Sequence, residues 1–309
     1  MYEANGASKG GMRRRFLLFV VSPALLTLIF GELSLRFLVG LGDPPLYQLD
    51  PTVEYLMAPG SYKRFGNTVF VNSAHMRSPE SSIQRAHSNE RRVLVIGDSV
   101  VNGGSLTDQA DLATELMPHI AEQRGWKSPL RVCNVSAGSW GPGNLLAFVR
   151  KFGSFGCDDA VIVLNSADLL DVPTFTELGP EQPTVRPSFA IEELFINYGR
   201  RFFRGAAVEQ PSSGSDSARQ SLQELLELLS ARGSRCRILF HPTQQELAAG
   251  LEQFCGEAAQ GDVPWCSSAA RFREAQVRGG DPYRDDIHPS ALGQAALAEA
   301  IIDCLETSR

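Results

Sequence analysis

The sequence has no surplus of positive charge, few cysteines and only one long apolar run. Its 29 Lys and Arg face 35 Asp and Glu, which gives a net charge of -6 and argues against nucleic acid as the main partner. Six cysteines among 309 residues are too few for a scaffold built from disulfides. No CxxC or Cys/His pair has the spacing of a zinc site, so we expect no bound metal. The 43% of apolar residues is enough for one or two domains with a large core.

The single apolar run lies near the N-terminus, directly after Arg13–Arg15. The uncharged residues 16–30 make about 22 Å of helix at about 1.5 Å per residue, whereas a bilayer core needs about 20 residues. Continuing the helix to residue 41 reaches that length but includes Glu32 and Arg36. Because these two side chains are four residues apart, they can pair at the membrane boundary.

Three interpretations of this run remain open. A cleaved signal peptide requires a small-x-small site, and none follows Phe30. A helix buried in a soluble domain fits poorly with three consecutive arginines beside it. An uncleaved signal anchor fits best, with its basic side in the cytoplasm. We therefore predict a basic cytoplasmic arm at 1–15 and a transmembrane anchor at 16–41. The protein would be a single-pass inner-membrane protein whose remaining chain lies on the periplasmic or extracytoplasmic side.

The rest of the chain divides into an irregular lead-in and an α/β domain. Residues 42–90 are rich in Pro, Ser, Asn and Gly and predict a stalk with short extended pieces. From 91 to 309, short apolar runs alternate with helical patterns, which indicates an α/β fold with a mostly parallel sheet. An insertion is expected at about 172–218. The predicted strands are 93–96, 130–135, 160–164 and 237–240, and predicted helices include 144–151, one starting after Thr243 and one starting at Pro289.

An extracytoplasmic location would place the cysteines in an oxidising compartment. Cys255 and Cys266 flank a loop that contains Gly, Asp and Pro, and we predict a disulfide between them. Cys133 and Cys236 fall in apolar runs, where we expect them to be buried and free.

Three predicted strands are followed by residues suited to chemistry, and functional groups in such a sheet collect at the carboxyl ends of the strands. The first strand ends in Gly97-Asp98-Ser99, where Gly97 allows a tight turn that exposes Ser99. A serine hydroxyl needs a base to become a nucleophile. Asp285 precedes His288 by three residues, so its carboxylate can hold Nδ1 and leave Nε2 free to take the Ser99 proton. The pattern predicts a catalytic triad of Ser99, His288 and Asp285.

Acyl transfer also needs hydrogen-bond donors where negative charge develops. The second strand is followed by Gly138, which can offer an unobstructed backbone N–H. The third strand is followed by Asn165, whose carboxamide is a natural third donor. We therefore predict an oxyanion hole formed by the N–H groups of Ser99 and Gly138 and the side chain of Asn165.

These motifs resemble those of the SGNH/GDSL hydrolase superfamily in its bacterial membrane-anchored form. Residues 93–99 (VLVIGDS) are similar to the first family block, whose Ser is the nucleophile, and Asn134–Gly138 to the second, whose Gly is an oxyanion donor. Asp285–His288, followed by PSALG, is similar to the last block. The resemblance covers about 91–305 and implies a three-layer α/β/α sandwich with a flavodoxin-like sheet. It also implies ester hydrolysis or acyl transfer, often on carbohydrates or lipids, without a metal or other cofactor.

The third block departs from the family pattern Gly-x-Asn-Asp, because Ala167 stands at the Asn position before Asp168. Asn165 lies two residues earlier and would have to substitute for the missing donor through a shifted turn. Loss of one oxyanion donor typically lowers kcat by about 10²–10³.

Three functions stay open at this point. The first is a membrane-anchored serine esterase acting on an O-acyl ester of a carbohydrate or a lipid. The second is an O-acyltransferase that modifies extracytoplasmic glycans with the same residues, with room for an acyl-transfer partner in the membrane. The third is a non-catalytic assembly or binding subunit, which Ala167 favours and the intact set of Ser99, His288 and Asp285 opposes.

Overall fold

The computed structural model describes residues 16–80, 85–196, 215–251 and 263–307. The predicted basic arm at 1–15, residues 197–214 of the predicted insertion, and Cys255 lie outside the described residues.

A helix precedes the domain. Its α-helical part, α1 (Ser22–Ser34), lies between two π-helical turns, Leu17–Val21 and Leu35–Val39, and has no buried residue. Gly40 ends the helix in the left-handed conformation that glycine adopts without strain. In the described part of the chain, Phe19–Val39 is the one stretch long and apolar enough to cross a membrane.

The lead-in is not the irregular stalk that its composition predicts. It forms two antiparallel hairpins, β1 (Tyr47–Asp50) with β2 (Glu54–Met57) and β3 (Gly60–Arg64) with β4 (Asn67–Val71). The prediction fails because the turn-forming residues separate short strands whose apolar side chains face the domain core. The buried apolar residues of this part are Val53, Tyr55, Leu56, Met57, Tyr62, Val69, Val71 and Met76.

Five parallel strands form the central sheet. They are β5 (Arg91–Gly97), β6 (Leu130–Ser136), β7 (Asp159–Leu164), β8 (Arg235–Phe240) and β9 (Trp265–Ser267). Their order across the sheet is β6-β5-β7-β8-β9, which is the flavodoxin-like order. The chain proceeds from β5 to one side and then returns to the other, so a crevice opens between the carboxyl ends of β5 and β7. The four predicted strands are confirmed, whereas β9 has too short an apolar run to be predicted.

Helices cover both faces of the sheet and confirm the three-layer α/β/α architecture. They are α2 (Ser99–Asn102), α3 (Ala113–Gln123), α4 (Pro142–Phe152), α5 (Ala190–Leu194), α6 (Ser215–Ala231), α7 (Gln244–Ala249), α8 (Ala269–Val277) and α9 (Ala291–Glu306). Strand β5 is buried on both sides, because Leu94 and Ile96 pack in the core beneath α4 and α6, while Val93 and Val95 pack beneath α3, α8 and α9. The predicted capping box of Thr243 starts α7.

The disulfide joins a pair of cysteines that differs from the predicted one. Cys266 of β9 is bonded to Cys304 of α9, with their Cα atoms 5.9 Å apart, so the prediction of a Cys255–Cys266 bond is wrong. The physical reason is that α9 packs against the sheet beside β9, which brings together residues separated by 38 positions. Cys133 is buried and forms no disulfide, as expected, and Cys236 forms none but is only half-buried.

Candidate active site

Ser99 stands at the carboxyl end of β5 because the turn before it has room only for glycine. A Cβ on Gly97 would lie 2.6 Å from the Val101 side chain and 3.0 Å from the carbonyl oxygen of Val163. Asp98 caps α2 with its side chain, and Ser99 is the first residue of that helix. The N–H of Ser99 therefore has no acceptor within the helix and is available to a ligand.

Ser99, His288 and Asp285 form a continuous hydrogen-bonded relay. The Ser99 Oγ lies 2.9 Å from Nε2 of His288, and Nδ1 of His288 lies 2.9 Å from both carboxylate oxygens of Asp285. The carboxylate also accepts backbone N–H groups of Ile287 at 3.1 Å and of His288 at 2.8 Å. The structure thus brings the three predicted triad residues together across 189 positions of sequence.

The charge state of Asp285 suits a residue that orients an imidazole. Partial burial opposes ionisation, but the N–H groups of His288 and Ile287 and the His288 ring outweigh it and lower the pKa of Asp285. An ionised Asp285 favours the proton on Nδ1, so that Nε2 faces Ser99 as an acceptor. Asp285 is half exposed and His288 is about one-third exposed, so the relay is open to a ligand from solvent.

A second histidine, His241, holds the backbone next to His288. It is fully buried at the end of β8, with Nε2 2.9 Å from the carbonyl oxygen of Ile287 and Nδ1 3.0 Å from the Ser268 hydroxyl. Burial lowers the pKa of His241 to about 4, so the ring is neutral at physiological pH. A neutral ring that donates from Nε2 to the Ile287 carbonyl accepts the Ser268 hydroxyl at Nδ1. In the sequence, only the position of His241 at a strand end indicates a role near the site. That position is equally typical of a residue that merely packs in the core.

The turn after β6 lies beside the one that carries Ser99. Gly97 and Ser136 are register partners in β5 and β6, and Asn102 of α2 donates to the Ser136 carbonyl at 3.0 Å. A Cβ placed on Gly138 would meet no atom within 4 Å, so Gly138 borders open space. Tyr55 of β2 donates its hydroxyl to the Gly138 carbonyl, so the lead-in hairpin fixes this turn.

Asn165 lies at the same edge but already uses its amide group. Its Nδ2 donates to Asp98 Oδ2 at 3.0 Å, and its Oδ1 accepts the N–H of Ala167 at 2.8 Å. The side chain is buried, whereas Ala167 is exposed. The structure therefore brings Asn165 to the neighbourhood of Ser99 through Asp98 rather than pointing it into open space.

Buried and partly buried carboxyl groups lie near Asn165 at the carboxyl ends of the strands. Asp168 accepts the N–H of Asn165 at 2.8 Å, and burial together with nearby Asp98 raises the pKa of Asp168 well above its usual value. Burial also raises the pKa of Asp98. Asp171, the next carboxyl along the chain, has its pKa raised to about 6 by burial and by the charges of Glu54 and Asp98.

Several solved structures are similar to this chain at low sequence identity. TesA is 19% identical over 70% of this chain and 99% of its own length, with a TM-score of 0.44. A catalytic mutant of Axe2, an acetylxylan esterase from Geobacillus stearothermophilus, is 14% identical over 72% of this chain and 96% of its own, with a TM-score of 0.45. A lipolytic G-D-S-L protein from Veillonella parvula is 14% identical over 69% and 97%, with a TM-score of 0.42. No protein-family model and no curated protein matches the chain.

Proposed function

We propose that this protein is a membrane-anchored serine ester hydrolase of the SGNH/GDSL type. The observation that carries the proposal is the relay in which Ser99 Oγ, the His288 ring and the Asp285 carboxylate are joined by contacts of 2.9 Å. This geometry matches the three roles of an acyl-transfer triad: a nucleophile, a base and a group that orients the base.

The proposed reaction begins when Ser99 attacks an ester carbonyl while His288 Nε2 takes the hydroxyl proton. His288 then returns that proton to the leaving alcohol, which leaves an acyl group on Ser99. Water, deprotonated by the same Nε2, then attacks the acyl carbon, and His288 returns that proton to Ser99 Oγ as the acid is released. Asp285 stabilises the imidazolium in both steps without itself taking the proton.

The oxyanion formed in each step needs donors that are already in place. The N–H of Ser99 stands at a helix N-terminus, and Gly138 borders open space beside it, so these two groups are our proposed donors. Asn165 supports them indirectly, because its amide holds Asp98 beneath Ser99. A hole with two donors predicts a slower enzyme than one with three.

The N-terminal helix is proposed as the anchor of this hydrolase. The 21-residue stretch from Phe19 to Val39 is apolar enough to cross a membrane although it contains Glu32 and Arg36, and none of its described side chains is fully buried. The arginines at 13–15 precede it, which favours a cytoplasmic N-terminus and an extracytoplasmic active site.

Fluorophosphonate labelling of the full chain in detergent, read by peptide mass spectrometry, tests the triad. We expect an adduct on Ser99 that is lost in Ser99→Ala and strongly reduced in His288→Ala. Ser166→Ala is the matched control, because Ser166 lies at the same edge but bonds to Glu246 instead of His288. No adduct on folded protein would overturn the hydrolase proposal and favour a non-catalytic role.

A further inference from the structure

Exposed apolar side chains concentrate in one segment of the domain. Residues 170–196, called here the apolar segment, expose six large apolar side chains, whereas elsewhere beyond residue 42 such residues are scattered singly among the described residues. Exposed apolar side chains that are concentrated in this way are typical of an interaction surface. The six are Leu170, Phe175, Val185, Phe189, Phe195 and Ile196.

The apolar segment is fastened to the last turns of the N-terminal helix. The two carboxylate oxygens of Glu32 accept the N–H groups of Ala190 at 2.9 Å and Ile191 at 3.1 Å. Arg36 pairs with Glu32 at 2.5 Å and donates to the carbonyl of Ser188 at 2.9 Å. These bonds flank residue 189 on both sides, so the segment is held at a fixed height along the helix.

Further contacts make this attachment rigid. Glu193 accepts the N–H of Gly42 at 2.6 Å and forms a buried ion pair with Arg64 of β3. Arg186 pairs with Asp43 at 2.7 Å. The apolar segment is therefore tied to the helix, to the residues that follow the helix and to the lead-in hairpin at once.

The length of the helix sets the depth at which the segment lies. From Phe16 to Arg36 the helix rises about 30 Å at about 1.5 Å per residue, which equals the hydrocarbon thickness of a bilayer. Arg36 then lies at the outer boundary and Glu32 one turn below it, with its carboxylate paired to Arg36. Phe189, between the residues that these two side chains hold, lies at that boundary, where aromatic side chains are favoured.

We propose that the apolar segment, together with Phe37 and Leu38 at the end of the helix, is a membrane-contact surface that rests on the phospholipids of the outer leaflet. The proposal rests on the anchoring proposed above. The attachment to the helix carries it, because Phe37 and Leu38 are about four-fifths exposed and follow Arg36, whose bond to Ser188 holds the likewise apolar and exposed Phe189 next to the same end of the helix. The segment begins just after the Asn165 turn, so it joins the bilayer surface to the edge that bears Ser99.

Spin-label quenching of the full chain in nanodiscs of phosphatidylcholine and phosphatidylglycerol tests the surface. Phe189→Cys and Phe195→Cys, in a chain that carries Cys236→Ser and Cys255→Ser, receive an environment-sensitive fluorophore. Lipids with a nitroxide near the headgroup or deep in the acyl chain serve as quenchers. We expect quenching at 189 and 195 by the shallow label to exceed that at Val277→Cys several-fold, because Val277 is even more exposed but lies on α8.

Leu26→Cys in α1 separates the two proposals. Quenching at 26 by the deep label without quenching at 189 and 195 would overturn the contact surface and leave the anchor standing. No quenching at 26 would overturn the anchor as well. If 189 is unquenched by lipid yet shielded from a water-soluble quencher in native membranes, a protein partner covers the surface and the lipid proposal is wrong. Fluorophosphonate labelling of each variant shows that it is folded.

Discussion

The two ends of the central strands, called here the amino edge and the carboxyl edge, surround their buried carboxylates with different partners. At the amino edge, Asp159 is fully buried and accepts hydrogen bonds of 2.8 to 2.9 Å from Arg91, Arg235 and Arg237. Burial opposes its charge, but the arginines outweigh that effect and lower the pKa of Asp159. At the carboxyl edge, Asp98 and Asp168 are bonded to amide and hydroxyl groups, and burial raises the pKa of each.

From this difference we infer that the amino edge contributes to the stability of the fold and the carboxyl edge to the proposed reaction. Three cations around one carboxylate tie β5, β7 and β8 together at the amino edge. At the carboxyl edge the carboxylates Asp98 and Asp168 accept hydrogen bonds, among the described residues, from neutral groups only, and the serine and histidine beside them are partly exposed. We therefore expect substitutions at the amino edge to change the free energy of unfolding and substitutions at the carboxyl edge to change catalysis.

The largest effect should follow Ser99→Ala. Removing the proposed nucleophile should lower the hydrolysis rate of a p-nitrophenyl ester by about 10⁴-fold or more, while the denaturation midpoint stays within error of the wild type. Steady-state kinetics and chemical denaturation of the same preparations check both parts. Retained hydrolysis would place the reaction on another residue.

Asp285→Asn should come next, with a loss of kcat of about 10³–10⁴-fold. An asparagine can donate to Nδ1 and so favours the wrong tautomer of His288, even though the backbone contacts of the loop persist. The pH–rate profile of the variant is the decisive measurement. We expect activity to recover in part at high pH, and a wild-type profile would show that Asp285 only packs against the loop.

At the opposite edge, Asp159→Asn should destabilise the fold by about 3–5 kcal/mol, because it removes the buried carboxylate that accepts hydrogen bonds from Arg91, Arg235 and Arg237. The folded pKa of Asp159 is lowered, so its contribution is present above the unfolded pKa of about 3.9 and is lost as the pH falls through the folded pKa. Urea denaturation at several pH values measures this. The rate per folded molecule should not change, and a drop in that rate would break the division between the two edges.

At the carboxyl edge, His241→Phe should lower kcat by a smaller factor than the two substitutions in the proposed triad. Phenylalanine keeps the ring contacts with Phe272 and Tyr283 but leaves the Ile287 carbonyl without its donor. We expect kcat to fall about tenfold with little change in KM, since an unpaired buried acceptor costs about 1–3 kcal/mol and loosens the base. His241→Gln, which retains a donor, should recover part of the loss. An equal loss in both variants would indicate packing alone.

Asp168→Asn should have the smallest effect, a pH-dependent change in the free energy of unfolding. The folded pKa of Asp168 is raised, so the wild type loses stability as the pH rises through that pKa, whereas the variant does not. The variant should therefore be the more stable protein at pH 8, with a difference that shrinks toward pH 5. Denaturation curves at both values test this, and a difference independent of pH would contradict it.

The sequence was informative where one local pattern has one structural outcome. Buried parallel strands are continuous apolar runs, so β5 to β8 were predictable, and Gly97 before Ser99 marked the turn between strand and helix. The lead-in hairpins were missed because composition does not distinguish turns between packed strands from an unpacked stalk. The disulfide and the role of His241 depend on contacts of α9 and of the 281–290 loop that arise only after the layers pack. The roles of Ser99, His288, Asp285, Gly138 and Asn165 stay predictions until they are measured.

The disulfide encloses two of the three proposed triad residues in one covalently closed segment of the chain. The bond between Cys266 and Cys304 closes a ring of the chain, and Asp285 and His288 both lie inside it, whereas Ser99 lies far outside. The ring restricts the conformations of the segment that carries Asp285 and His288 in the unfolded chain, but it does not restrict the position of Ser99 relative to them. Only packing, chiefly of α9 on the sheet, brings that segment to the serine. The contact between Ser99 and His288 therefore depends on noncovalent packing alone.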